Sequence, residues 1–171
     1  QFHDGSSITV DDVLFSFETL KESGRPNMRR IYELGTPEII DSQTITFTFK
    51  DGFDRETGMI FAMMPVLSQA YWDGKTFDQT TLDPPLSSGA YRIASFDQGK
   101  QIIYERVEDY WAKDLLPNKG HHNFDRIVYD YFRDNTVALE SFKKGDLNFR
   151  REWDANNWHN SYDFKAMDDG I

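Results

Sequence analysis

The hydrophobic pattern first predicts an amphipathic helix. Its apolar residues recur at intervals of three and four positions: Val10, Val13, Leu14 and Phe17. Thr9 and Asp12 have the spacing of a capping box, with Asp in the place where Glu is more usual. Gly24 and Pro26 follow, and both residue types end helices. The pattern therefore predicts a helix that begins after Thr9 and buries Phe17.

A β-hairpin is predicted next, because residues 44–49 alternate between threonine and a large apolar residue. Such alternation buries one face of a strand and leaves the other in water. The buried positions would be Ile45, Phe47 and Phe49. Residues 38–41 would form the partner strand, across a turn at 42–43. Residues 54–64 predict a short helix that ends at Pro65.

A cluster of turn-forming residues interrupts the pattern between positions 83 and 89, where the sequence reads Asp-Pro-Pro-Leu-Ser-Ser-Gly. It is the strongest cluster of this kind in the chain. We expect a boundary there between two subdomains, residues 1–86 and 87–171.

The second half of the chain alternates strands with short helices. Strands are predicted over residues 90–96, 101–107, 126–132 and 147–150. A helical turn is predicted at 109–111 and a helix at 154–162. Asp134 is a candidate cap for a further helix that ends at Gly145. Antiparallel hairpins mixed with short helices indicate an α/β (α+β mixed) fold class.

The composition excludes several functional classes. The 171 residues carry a net charge of −10, whereas a nucleic-acid partner requires a basic face. The absence of cysteine excludes disulfides, Cys-type zinc sites and thiol nucleophiles. The longest apolar stretch, residues 59–67, is much shorter than the ~20 residues that cross a bilayer. An aromatic content of 15% supports a packed core.

The start of the sequence gives a further expectation. The chain begins at Gln1 without an initiator methionine, and residues 2–5 read like the middle of a hairpin. We therefore expect that both ends were cut from a longer protein.

Candidate catalytic and metal-binding groups do not form a recognisable motif. His121 and His122 are adjacent, so on an extended chain they point to opposite sides and rarely bind one ion. Carboxylates are plentiful but lie mostly at predicted caps and turns, and a sequence cannot reveal a glycosidase pair. The sequence contains neither a nucleophile elbow nor a phosphate-binding glycine motif. We expect no catalytic group, no metal site and no cofactor.

The segment that follows the strand predicted at 147–150 is the candidate for a ligand-binding wall. It combines two large aromatic faces with charged and amide side chains: Arg150, Arg151, Glu152, Trp153, Asn157 and Trp158. Aromatic residues supply contact area, and polar groups fix the orientation of a ligand. Arg150 or Arg151 would pair with a ligand carboxylate, and Glu152 with an ammonium group. The alternative is that the two tryptophans pack in the core, as we expect for most of the phenylalanines.

Four blocks of the sequence resemble family 5 of the extracellular solute-binding proteins. Residues 2–17 are similar to the family signature F-x-D-G-x-P-x-T-A-x-D-V-x-F-S-F, and residues 88–93 to its G-P-Y strand. Residues 104–111 resemble its E-R-N-x-x-Y-W turn, and residues 136–148 its A-L-x-A-G-E-x-D helix and strand. The blocks occur in the family's order, so together they are far more specific than any one of them.

Within this family, the chain is most similar to the YejA-like oligopeptide-binding group, through residues 84–89, 113–118 and 157–163. Ser7 and Ala90 stand where the family has proline, which lowers local stiffness without requiring another fold. Asn148 stands where the family often has Asp, so no carboxylate role carries over to that position.

The resemblance implies a fragment of a periplasmic-binding-protein type II-like lobe, from a periplasmic or lipid-anchored protein. Proteins of this kind close two lobes around a ligand by a hinge motion. It further implies the substrate-binding component of an ABC-type oligopeptide transporter. The ligand would be a peptide and the partner an ABC permease, with no enzymatic activity.

Two alternatives stay open. A carbohydrate-binding or carbohydrate-active module would also use Trp, Asp and Asn side chains. A nickel- or haem-binding member of the same family has His121 and His122 as its only support.

We predict that the chain does not bind nickel or zinc through His121 and His122, because the pair lies in a polar loop without further ligands nearby in the sequence. Isothermal titration should give the same result for the unaltered chain and for the double variant H121A/H122A. Micromolar binding of either ion that is lost in the double variant would contradict this prediction.

Overall fold

The computed structural model describes residues 1–52 and 54–170. Helices and strands follow one another in groups along the chain. The helices are α1 (Val10–Ser23), α2 (Pro26–Tyr32), α3 (Thr57–Ala62), α4 (Gln69–Trp72), α5 (Asn135–Lys143), α6 (Ala155–Ser161) and α7 (Lys165–Asp168). The strands are β1 (Gly35–Asp41), β2 (Thr44–Phe49), β3 (Tyr91–Asp97), β4 (Gln101–Arg106) and β5 (Arg126–Asp130). β1 pairs with β2, and β3, β4 and β5 form a second sheet in that order.

Helix α1 begins at the predicted capping box. The Thr9 hydroxyl accepts a hydrogen bond from the Asp12 amide at 3.2 Å, and the Asp12 carboxylate accepts one from the Thr9 amide at 2.8 Å. Both hydrogen bonds satisfy backbone N–H groups that have no partner within the helix at its N-terminus. Gly24 ends the helix, where a Cβ atom would lie only 2.2 Å from the Leu20 carbonyl oxygen. Pro26, predicted only as a stop, also occupies the first turn of α2.

The hairpin of β1 and β2 confirms the predicted alternation. The strands are antiparallel, with Ile39 opposite Ile45 and Pro37 opposite Phe47. Residues 45, 47 and 49 are half-buried, whereas the threonines between them are exposed. One face of the hairpin therefore packs inward, as the sequence predicts.

Two predicted elements are wrong. Residues 147–150 are irregular, because a strand requires a neighbour to complete its hydrogen bonds and no described strand pairs with them. Residues 109–111 lie in hydrogen-bonded turns but form no helix. The other strands and helices lie within a few residues of their predicted positions, while α2, α4 and α7 have no predicted counterpart.

A cluster of aromatic residues forms the main core. Its buried members are Phe17, Leu20, Tyr32 and Phe61. The Phe61 ring lies 5.9 Å from the ring of Phe17 and 5.3 Å from that of Tyr32. Phe47 of β2 lies 5.5 Å from Phe17, so the hairpin packs against the apolar face of α1.

Two buried polar side chains of α1 hold the segment that leads into α4. Asp12 accepts a hydrogen bond from the Gln69 amide at 2.9 Å, and the Ser16 hydroxyl accepts one from the Leu67 amide at 2.7 Å. Asp12 is 7% exposed and Ser16 is fully buried. Burial of a polar group is tolerated where its hydrogen bonds are made, so these contacts fix the path of the segment.

The chain divides into two compact units. Unit one comprises Gln1–Ala94 and Tyr104–Ile127, and unit two comprises Ser95–Ile103 and Val128–Ile171. Within unit one, the turn cluster at 83–89 is bonded to the start of the chain, since the His3 amide donates to the Ser87 carbonyl at 2.8 Å. The subdomains 1–86 and 87–171 stay a prediction about the domains of the longer protein. Among the described residues, no helix combines the length and hydrophobicity that a membrane span needs.

We predict that Phe17→Ala lowers the free energy of unfolding by about 3–5 kcal/mol, because it removes a buried ring from the main core. The matched control is Phe15→Ala, two residues away on the same helix, where the side chain is only half-buried. Urea denaturation should show a clearly smaller loss for the control. A Phe17→Ala variant as stable as the unaltered chain would contradict the packing described here.

Candidate functional site

The six residues predicted as a ligand-binding wall lie together in unit two. Arg150, Arg151, Glu152 and Trp153 belong to an irregular segment, and Asn157 and Trp158 lie in α6. Asp154 separates the two groups and caps α6, because its carboxylate accepts hydrogen bonds from the Asn156 and Asn157 amides at 2.8 and 3.4 Å. The six residues are therefore close in the sequence, but only the first four of them line a common groove.

Arg150 and Glu152 are bonded to each other rather than free. Arg150 Nη1 lies 2.5 Å from Glu152 Oε2, and the two side chains are only 8% and 7% exposed. Tyr162 joins the pair, since its hydroxyl accepts from Arg150 at 2.5 Å and donates to Glu152 at 3.2 Å. These three side chains form a closed network, which we call the Arg150–Glu152–Tyr162 brace.

The Glu152 carboxylate also binds the backbone of its own segment. Its Oε1 atom accepts hydrogen bonds from the Trp153 and Asp154 amides, both at 2.9 Å. The bond from the Asp154 amide, followed by that from Arg150, lowers the pKa of Glu152 from its ordinary 4.5 to about 2. Burial alone lowers the pKa of Arg150, but its bonds to Glu152 and Tyr162 outweigh burial and raise it. Both members of the pair therefore stay charged near neutral pH.

Arg151 and Trp153 point away from the brace. The Arg151 guanidinium carbon lies 3.9 Å from the centre of the Trp153 ring, which is a cation–π contact. Trp153 is nevertheless 77% exposed. Residues 150 and 152 form the buried charged pair, whereas residues 151 and 153 form an exposed Arg–Trp pair.

The aromatic residues of α6 have mixed environments. Trp158 is 60% exposed, but its ring packs against the Tyr162 ring, with the centres 4.9 Å apart and the planes tilted by 40°. Tyr162 also lies 6.2 Å from Phe164, and Phe164 lies 6.2 Å from Phe142 of α5. Asn157 is half-buried. Trp158 therefore combines a packing role with an accessible ring, whereas Trp153 is almost wholly accessible.

A groove of about 370 Å³ runs beside this segment. It brings together four of the predicted residues with three that the sequence did not single out: Asn135, Asp154 and Ala155. Asn135 is the first residue of α5, next to the cap Asp134. Its place beside residues 150–155 depends on the packing of α5, for which the sequence contains no local signal.

The histidine pair lies in unit one, in a polar loop. Within residues 1–52 and 54–170, no three His, Cys, Asp or Glu side chains are placed to hold a metal ion. His122 has a positive φ of 58°, and its ring packs 5.9 Å from the rings of both Tyr91 and Tyr110. These contacts are those of a packed aromatic ring.

Comparison with known proteins places the chain in a family. A model of the bacterial extracellular solute-binding proteins, family 5 (Middle), matches residues 1–169. The chain belongs to this family. Its members are solute-binding proteins, so the predicted family and the predicted class of function are confirmed at that level.

Three relatives are similar along nearly the whole chain. A putative binding protein of Brucella melitensis is 41% identical over 99% of the chain. A peptidoglycan-binding protein of Agrobacterium fabrum is 38% identical over 99%, and a probable peptide-binding protein YejA of the same organism is 35% identical over 98%. The chain spans 28%, 29% and 28% of their respective lengths. The resemblance to the YejA-like group is thereby confirmed, and so is the chain's similarity to only part of a longer protein.

A solved structure confirms the predicted fold class. The mannohexaose-bound periplasmic oligopeptide-binding protein of an ABC transporter from Thermotoga maritima matches with a TM-score of 0.69 and 25% identity. The match covers 95% of this chain and 31% of that one. The mixed helices and strands are therefore part of a fold of the periplasmic-binding-protein type II kind.

We predict that Glu152 makes the stability of the chain depend on pH. Because its pKa falls from 4.5 unfolded to about 2 folded, the stability it contributes is complete above about pH 4.5 and is lost as the pH falls towards 2. Glu152→Gln should therefore be less stable than the unaltered chain at neutral pH, and this difference should shrink as the pH is lowered through that range.

The matched control is Glu140→Gln, which removes an exposed carboxylate paired with Lys143 on α5 of the same unit. Urea denaturation at about pH 7, 4.5 and 3 gives the comparison. If Glu152→Gln and Glu140→Gln showed the same small effect at every pH, the Glu152 carboxylate would not hold the segment as described.

Proposed function

We propose that the full-length protein captures peptides in the periplasm as the substrate-binding component of an ABC-type oligopeptide importer. The carrying observation is the family match over residues 1–169, together with 35% identity to a probable peptide-binding protein. In this proposal the partner is an ABC permease, which receives the peptide from the binding protein.

The geometry of the candidate wall is consistent with this proposal. Capture of varied peptides needs accessible aromatic surface and a few fixed polar groups rather than a reactive side chain. Trp153 and Trp158 supply the accessible surface, and Glu152 of the brace fixes the backbone at Trp153 and Asp154. We therefore propose a binding role without catalysis for this chain.

A ligand with a sugar component is the second candidate. Two observations favour it: the Thermotoga oligopeptide-binding protein holds mannohexaose, and the 38% identical relative is described as peptidoglycan-binding. Exposed tryptophan rings suit the flat faces of sugars as well as peptide side chains. The two candidates share the wall but differ in the ligand.

Isothermal titration of the full-length protein tests the proposal. The ligands are a mixture of short peptides, mannohexaose and a peptidoglycan-derived muropeptide. We expect peptides to bind at micromolar strength and mannohexaose not to bind. Trp153→Ala should weaken the affinity for peptide by about tenfold, because an aromatic ring contact contributes about 1–1.5 kcal/mol.

Trp111→Ala is the control, since this tryptophan is 54% exposed but lies in unit one, outside the wall. Binding of mannohexaose or the muropeptide without binding of peptides would replace the first candidate with the second. If neither the peptides nor the sugar-containing ligands gave a binding signal, a solute-binding role at this wall would be rejected.

A further inference from the structure

We propose that Arg151 and Trp153 together recognise a carboxylate on the ligand, and that Arg150, Glu152 and Tyr162 are positioning residues that never touch it. This inference rests on the proposed function, because it names the ligand group that the same wall would bind. It also assigns different roles to Arg150 and Arg151, which the sequence alone does not distinguish.

The first step is a count of charges at the groove. Four charged side chains line it: Arg150, Arg151, Glu152 and Asp154. Arg150 and Glu152 neutralise each other, and Asp154 is bonded to two amides of α6. Of these four charges, Arg151 alone makes neither a hydrogen bond nor an ion pair to another described residue. A ligand anion can therefore pair with Arg151 without breaking an existing bond.

The second step is the orientation of the guanidinium. Stacking on an aromatic face leaves the N–H groups at the edge of the guanidinium plane, where they can donate to a carboxylate in the bidentate manner. The Arg151 guanidinium carbon lies over the Trp153 ring, 3.9 Å from its centre, so the side chain is held against the ring before any ligand arrives. The stack thus reduces the conformational freedom that a long side chain otherwise loses on binding.

The third step is the rigidity of the segment. Residues 150–154 have no regular secondary structure, yet Glu152 binds the amides of both Trp153 and Asp154. These bonds fix the backbone on either side of Trp153. Arg150 and Glu152 border the groove, but their side chains are only 8% and 7% exposed and are bonded to each other. Arg150 is therefore a poor ligand-binding group, because using it would leave Glu152 as an unpaired buried charge.

The chemistry of the ligand follows. A carboxylate is present at the C-terminus of every unmodified linear peptide, and also on acidic side chains and on the peptide stem of muropeptides. All three would satisfy Arg151. The neutral hexasaccharide held by the Thermotoga protein would not. The pair therefore selects anionic ligand ends, whatever the rest of the ligand is.

The test uses the full-length protein and one peptide in three forms: the free acid, the C-terminal amide, and the amide with one added glutamate. We expect the unaltered protein to prefer the free acid over the amide by about tenfold or more, which corresponds to one charge-assisted hydrogen-bonded pair. Arg151→Gln should abolish this preference by weakening the acid while leaving the amide unchanged. If the added glutamate restored the affinity, the site would bind any carboxylate. If it did not, the site would bind only the C-terminal carboxylate.

Two controls separate recognition from positioning. Arg133→Gln removes an exposed arginine of the same unit outside the groove and should change no affinity. Arg150→Gln should lower the melting temperature and weaken acid and amide alike, because it loosens the whole segment. Arg151→Gln should leave the melting temperature unchanged.

The outcomes distinguish the inference from the function on which it rests. If the unaltered protein binds both forms and Arg151→Gln leaves the preference intact, the inference is wrong and the proposed function stands. The same conclusion follows if Arg150→Gln, with an unchanged melting temperature, removes the preference instead. If no form of the peptide binds, both the proposed function and the inference are rejected.

Discussion

The carboxylate of Glu152 is the contact on which the candidate site depends. It accepts hydrogen bonds from Arg150, from Tyr162 and from two successive backbone amides. A segment without helix or strand has no repeating hydrogen bonds to define its shape, so a buried side chain has to supply them. Here the same carboxylate neutralises an arginine, joins the segment to the aromatic residues after α6 and holds the backbone beside Trp153. Exposure of Arg151 and Trp153 is the consequence of burying their neighbours.

Unit one uses the same principle at a different place. Asp12 caps α1 and also accepts a hydrogen bond from Gln69, while Ser16 holds Leu67 one turn further along the helix. Helices and strands this short bury little apolar surface each, so directional contacts of polar side chains complement the aromatic core around Phe61. In both units, therefore, a polar group within the packed structure determines the course of an irregular segment.

The sequence predicted most of the local structure because local rules govern it. The capping box at Thr9, the alternation in β2 and the cap at Asp134 all involve residues within four positions of one another. Residues 147–150 show where this reasoning fails: their composition favours a strand, but strands form only beside a partner. The candidate wall was predicted from its composition, and its role in binding stays a prediction. The different environments of Arg150 and Arg151 were not predicted, because the contact of Arg150 with Tyr162 joins residues twelve positions apart. Asn135 was missed for the same reason, since tertiary packing alone brings it to the groove.

A crystal structure of the full-length protein with its ligand bound is the most direct test of the central claim, that the exposed Arg151–Trp153 pair is the binding surface and the buried brace its support. We expect a ligand carboxylate within hydrogen-bond distance of Arg151, further ligand atoms against the Trp153 ring, and the bonds among Arg150, Glu152 and Tyr162 unchanged from those described here. A ligand bound with Arg151 and Trp153 both still open to solvent, or one that takes Arg150 away from Glu152, would contradict it.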